Sequence, residues 1–248
     1  MNNTIISRLG VQSYCFRAFK THEQLIRAVK SCGVDRVEIY PGHHDPVTQP
    51  DPDGVIRTFT DAGITISAFG VYKFRDDEAA ARKVFEFAQA AGIPTISADL
   101  GPGGLALVER LCAEYGKEVA VHNHGRKHDL GAVAALERLF ADASPNVGLC
   151  LDTAWMLDSG EDPLAVAERF QERLYGVHIK DFVFDRAGRP EDVIVGMGNL
   201  DLEGLAAFLI DIAYDGYLTL EYEGDVDNPV PATKQCVEAV RTAFARAG

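Results

Sequence analysis

Eight short apolar runs recur along the chain, at Leu9–Tyr14, Val34–Tyr40, Ile64–Phe69, Pro94–Ala98, Glu118–Val121, Val147–Leu151, Leu174–Ile179 and Tyr217–Leu220. Most begin about 24–30 residues after the one before, the length of a strand, a helix and two short loops. Runs such as VGLCL and LYGVHI are apolar at consecutive positions. That pattern belongs to strands covered on both faces of a parallel sheet.

Helical signatures fill the intervals. Thr21-x-x-Gln24 reads as a capping box opening THEQLIRAVKS. Asp51-Pro52 and Asp162-Pro163 each place an N-cap before a proline at the first helical position. DDEAAARKVFEFAQAAG carries acids in its first turn and glycine past its end, while LEGLAAFLIDIAYDG and VPATKQCVEAVRTAFARA supply the last two helices. No Gly/Ser-rich linker or composition shift divides the chain. The pattern therefore predicts a single (β/α)8 barrel domain over residues 1–248. A doubly wound sheet would need fewer strands and a glycine-rich first turn, and GVQSYCFR is not one.

Composition changes this picture mainly by exclusion. The net charge of −13 would repel a phosphate backbone, so nucleic acid is not an expected partner. The five cysteines are scattered and form no CxxC, as expected for reduced thiols in the cytoplasm. MNNTIISRLG lacks the charged and apolar regions of a secretory leader, and no segment approaches 18 apolar residues. A soluble cytoplasmic protein with no membrane partner is expected. Self-association into a homo-oligomer is left open.

In a barrel of this type chemistry sits where the strands end, on the C-terminal face. Read in order, the run ends present Glu38, Lys73, Asp99, His122 with His124, Asp152, His178 with Lys180, and Glu221 with Glu223. Asp152, His178 and Glu221 occupy equivalent places on three consecutive runs. Carboxylates beside imidazoles form a ligand set for one divalent cation such as Mn²⁺, Zn²⁺, Co²⁺, Fe²⁺ or Mg²⁺. Crowded carboxylates without a cation would repel one another. His122 and His124 share a face of an extended chain where a buried run ends, a placement open to chemistry or to a polar strand end.

At these residues the sequence resembles the xylose isomerase-like TIM barrel family, described as sugar phosphate isomerases/epimerases. The resemblance runs from GVQSYCFR through VHNHG, LCLDTAW and GVHIKD to LTLEYEGD. It implies a metal held by Glu, Asp, His and Glu from strands five to eight. Asp152, His178 and Glu221 match the last three positions, and His122 stands where many members have glutamate. In the family's ketose epimerases two glutamates on opposite sides of the metal move the proton. The resemblance thus implies an isomerase or epimerase acting on a sugar or keto-sugar, with Glu221 as one base. His122 in the other place leaves a lyase or dehydratase of a keto-sugar or inosose open, and a non-catalytic sugar-binding barrel as well. A metal-dependent apurinic endonuclease shares this barrel, but it uses several metals and a basic surface. Seven histidines and the acidic charge count against it.

Further candidates fall around the same mouth. His124 is expected to face a small sugar or polyol derivative, and Lys180 to neutralise developing charge or pair with an acid. Glu38 is placed for a substrate hydroxyl or as a second base. Trp155, the only tryptophan, offers a flat face for a sugar ring or for packing. Asp99, Glu223 and His43 complete the expected substrate contacts, each with an ion-pair or solvated-loop alternative. The loop DFVFDRAGRPEDVIVGMGNLD has the length of a lid, and its GMG reads as a turn into the next helix rather than a phosphate cradle.

Overall fold

The computed structural model describes residues 5–248, so the first four residues of the MNNTIISRLG stretch lie outside it. Eight parallel strands close into a barrel: β1 (Leu9–Gln12), β2 (Arg36–Ile39), β3 (Thr65–Phe74), β4 (Thr95–Leu100), β5 (Glu118–His122), β6 (Val147–Asp152), β7 (Leu174–Ile179) and β10 (Tyr217–Leu220). Closure comes from β1, which pairs with β2 on one side and with β10 on the other. The remaining strands, β8 (Phe182–Phe184) and β9 (Pro190–Asp192), form an antiparallel hairpin outside the barrel.

Helices α1 (His22–Ser31), α2 (Pro52–Asp61), α3 (Glu78–Ala90), α4 (Gly104–Tyr115), α5 (Val133–Asp142), α6 (Thr153–Asp158), α7 (Pro163–Arg169), α8 (Leu202–Asp211) and α9 (Val230–Ala247) alternate with the strands. Their starts obey local chemistry. Thr21 and Gln24 form the reciprocal capping box of α1. Asp51 and Asp162 cap α2 and α7 ahead of Pro52 and Pro163. No helix among the described residues is long and apolar enough to cross a membrane.

Strand alternation sorts residues between two environments. Val119 and Val121 of β5, and Leu149 and Leu151 of β6, join the large apolar core shared with the helices. Ala120, Cys150 and Tyr217 form a separate small cluster with Ala68. One pleat further along, on the same strand face, come His122 and Asp152. Small side chains thus sit below a polar layer at the strand ends.

Strand β3 runs longer than its apolar run, because after an irregularity between Phe69 and Tyr72 it re-pairs Lys73 with Asp99 of β4. The long loop after β7 also differs from a free lid. Asp181, fully buried, accepts backbone N–H groups from Gly196, Gly198, Asn199 and Leu200 at 2.8–3.0 Å. These bonds occupy the amides of the GMG turn and pin the hairpin in place.

Candidate metal centre and barrel mouth

Four buried side chains converge at the C-terminal end of the barrel: His122 of β5, Asp152 of β6, His178 of β7 and Glu221 just past β10. Their ligand atoms all lie within 4.8 Å of one another. His122 Nε2 is 3.5 Å from Asp152 Oδ2, and His178 Nδ1 is 3.5 Å from Glu221 Oε2. Ligands about 2.1 Å from a tetrahedral ion stand roughly 3.4 Å apart, so these spacings fit an ion among them. Asp152 Oδ2 and His178 Nδ1 are buried with no hydrogen-bond partner. Buried polar atoms are normally paired, and a cation would satisfy both.

The groups behind this layer orient it. Asp152 caps α6 through Oδ1, which accepts Trp155 N–H at 2.9 Å and leaves Oδ2 turned toward His122. Asn123 joins β5 to β6, its side chain bonding both backbone groups of Asp152. Glu38 has no exposed surface; its carboxylate lies 2.8 Å from His178 Nε2 and also accepts the Ser97 hydroxyl. Glu38, expected to meet a substrate hydroxyl or serve as a second base, is absent from the lining of the cavity above the cluster. It stands behind His178, fixing the tautomer and aiming Nδ1.

Lys180 is fully buried and contacts Glu223, with Asp192 at 3.6 Å and Glu221 at 3.8 Å. Its ammonium also lies over the Trp155 and Phe182 rings, 5.3 and 5.4 Å from their centroids. Burial works against its charge, but Glu221, Asp152, Glu223 and Asp192 together hold it well above the ordinary lysine range. Burial would likewise raise the Glu221 carboxyl, yet Lys180, His178 and His122 keep it well below the usual carboxylate range. Asp192, brought in by the hairpin, is pushed up to about 7 by burial, against the pull of Lys180 and the Glu223 N–H.

A cavity of about 290 Å³ opens over this cluster. His122, His124, Glu221 and Glu223 face it, with Trp155, Tyr14 and Tyr40 as flat walls. His124 is lowered to about 3, first by burial and then by His122 and His128, so its imidazole is neutral. Two other expected contacts lie elsewhere. His43 is held by the turn after β1, with Nδ1 3.0 Å from Ser13 Oγ and Nε2 3.2 Å from the Phe16 carbonyl. Asp99 belongs to a second group with His124 and His128, and binds Lys73 at 2.6 Å beside a separate groove. His43 and Asp99, expected to contact substrate, do not line the mouth cavity.

Tyr14, Tyr40, Gln12 and Val71 line the mouth without having been singled out by residue type. Tyr40 ends VEIY, so its place at a strand end was the available signal. Asp192 had none, because the hairpin brings it to Lys180 from far along the loop.

The chain is similar to proteins of known and unknown role. A family model described as "Xylose isomerase-like TIM barrel" matches residues 26–243. The rhizopine catabolism protein MocC of Rhizobium meliloti is 30% identical over 145 residues, 51% of this chain and 43% of that protein. An inosose dehydratase of Lacticaseibacillus casei is 26% identical over 137 residues, 49% of this chain and 46% of its own. The chain thus spans less than half the length of these curated relatives. Among solved structures, the IolI protein with a bound zinc atom superposes with a TM-score of 0.76 at 15% identity, covering 97% of this chain and 99% of that one. The 3-keto-D-glucoside 4-epimerase YcjR of E. coli gives 0.73 at 18% identity, covering 95% and 99%.

Proposed function

Because the chain belongs to the xylose isomerase-like TIM barrel family, we propose that it is a divalent-metal-dependent enzyme. In this reading it moves a proton at the carbon beside a carbonyl of a small sugar or polyol derivative, as an isomerase or epimerase. The observation carrying this reading is the convergence of His122, Asp152, His178 and Glu221, with two buried ligand atoms left unpaired. An ion held there would polarise a carbonyl or hydroxyl oxygen and stabilise negative charge developing on it.

The chain's own groups supply the rest. Glu221 is ionised and borders the cavity, so it can accept a proton. His124 is a neutral imidazole on the same cavity and can accept a proton there. Lys180 stands behind Glu221 and Glu223 and stabilises negative charge between them. Trp155, Tyr14 and Tyr40 offer faces for the C–H surface of a ring.

A second reading, a dehydratase, is favoured by His122. A proton shuttle with its two carboxylates on β5 and past β10 would need an acid at the end of β5, and β5 supplies an imidazole there. The curated relatives named inosose dehydratase support the same alternative. Metal-loaded protein incubated in D₂O with ketohexoses, inosose and 3-keto-glycosides separates the two by NMR. Deuterium beside the carbonyl with the substrate otherwise intact favours the isomerase or epimerase. Loss of water favours the dehydratase, and no exchange across the panel contradicts both.

A further inference from the structure

A second cavity of about 380 Å³ adjoins the mouth, and His124 and Trp155 line both spaces. The first space, about 290 Å³, falls at the lower edge of the roughly 300–1,000 Å³ typical of small-molecule sites. A ring filling it would bring any longer substituent to the shared wall.

The two spaces differ in charge. Glu221 and Glu223 face the mouth, and the cations near it are committed. Lys180 is held by carboxylates, and Arg17 donates to the carbonyls of Glu223 and Tyr14. The second cavity is lined by Arg126, Lys127 and His128, with Asp158 the one acid. Arg126 lies 3.5 Å from Asp158, whereas exposed Lys127 makes no ion pair among the described residues.

This edge is held by its own hydrogen bonds. Buried Asp158 accepts the Arg126 backbone N–H at 3.0 Å, and His128 N–H bonds the Gly125 carbonyl at 2.9 Å. The Arg126 guanidinium donates to the Gly188 carbonyl at the hairpin tip, closing the outer side. A Cβ at Gly125 would collide with Asp158 and with the Trp155 ring, so the turn lies flat against the shared wall. Lys127 is therefore presented from a fixed turn.

We propose that this second cavity is a subsite for an anionic substituent of the substrate, a carboxylate or a phosphate ester, carried beyond the ring that enters the mouth. The inference rests on the reaction site proposed above and adds the charge and reach of its substrate. Near Lys127 and Arg126 an anion is favoured, whereas in the mouth it would meet Glu221 and Glu223.

Trp155 is the only tryptophan, so its fluorescence reports on both spaces. The metal-loaded chain is titrated with inorganic phosphate and, separately, with sodium acetate. A saturable change in emission is expected, with half-saturation at least about tenfold weaker in Lys127→Glu, the scale of one charge-assisted contact turned repulsive. A stronger response to phosphate assigns the subsite to an ester, and a stronger response to acetate assigns it to a carboxylate. No saturable change in the wild type, or an unaltered one in Lys127→Glu, overturns the proposal. A response that survives Lys127→Glu but vanishes with the metal places the anion on the ion and overturns it too. Metal content and exchange on the uncharged sugars of the D₂O panel are read in the wild type without any anionic group, so their failure would sink the proposed reaction separately.

Discussion

The two histidine clusters at the barrel mouth differ in what stands behind their rings. In the first, Glu38 lies 2.8 Å from His178 Nε2, so a neutral His178 would carry its proton there and turn the Nδ1 lone pair toward Glu221 and an ion beside it. In the second, His128 Nδ1 accepts the Leu130 N–H at 3.1 Å, so the ring proton resides on Nε2 facing Asp99. Asp99 is also already paired with Lys73, and burial is outweighed by that bond and by the neighbouring histidines in holding its carboxyl below the ordinary range. Both clusters bring their ligand atoms within 4.8 Å. The difference teaches that spacing alone does not make a metal site; the partner on the far side of the His178 ring and of the His128 ring bears on whether a lone pair or a proton points inward.

The largest effect is expected from Asp152→Ala, which removes a charged ligand. Metal affinity measured by competition with a chelator should fall by more than about 100-fold, past the range seen for outer partners. Glu38→Leu should come next, lowering metal affinity about 10–100-fold, while Glu38→Gln, still able to accept from Nε2–H, should lose less. Equal affinity in Glu38→Leu and the wild type would remove the basis of the comparison.

Changes in the second cluster should leave the metal in place. His128→Ala is expected to keep metal content per chain and affinity within about twofold, as read by elemental analysis and chelator competition. His124→Ala should also retain metal, but reduce turnover on a responsive substrate by about 10²-fold or more, the scale of a lost proton-transfer group. Metal loss in either variant would make the second cluster a ligand set.

The last effect concerns the hairpin and is read on stability, not on the metal. The Asp192 pKa of about 7 lies above its ordinary value, so between pH 4 and 7 the folded chain holds a proton that the unfolded chain has lost. Its contribution is full below pH 4 and declines as pH rises toward 7. Thermal unfolding should show the wild type losing stability relative to Asp192→Asn across that window, by on the order of a few kcal/mol at most. Parallel pH profiles would contradict the burial that raises Asp192.

Much of the barrel was legible because several strands are apolar on consecutive residues and several of the helices that follow carry a start signal. Thr21, Asp51 and Asp162 cap where their neighbours imply. The polar layer was legible in part, because His122, Asp152 and His178 follow apolar strand residues and alternation fixes their face. What escaped reading depends on distances across the barrel. Glu38 looks like a mouth residue along its strand, and only closure brings it behind His178. Lys73 reached Asp99 through the irregularity in β3. The hairpin that carries Asp192 is set by Asp181 and four backbone amides, a long-range arrangement that no local period announces.

Crystals of the chain soaked in Mn²⁺ and measured at the manganese edge test the central claim most directly. The account predicts one anomalous peak, bounded by His122, Asp152, His178 and Glu221, and none between Asp99, His124 and His128. A peak at the second cluster, or none at the first, would contradict it.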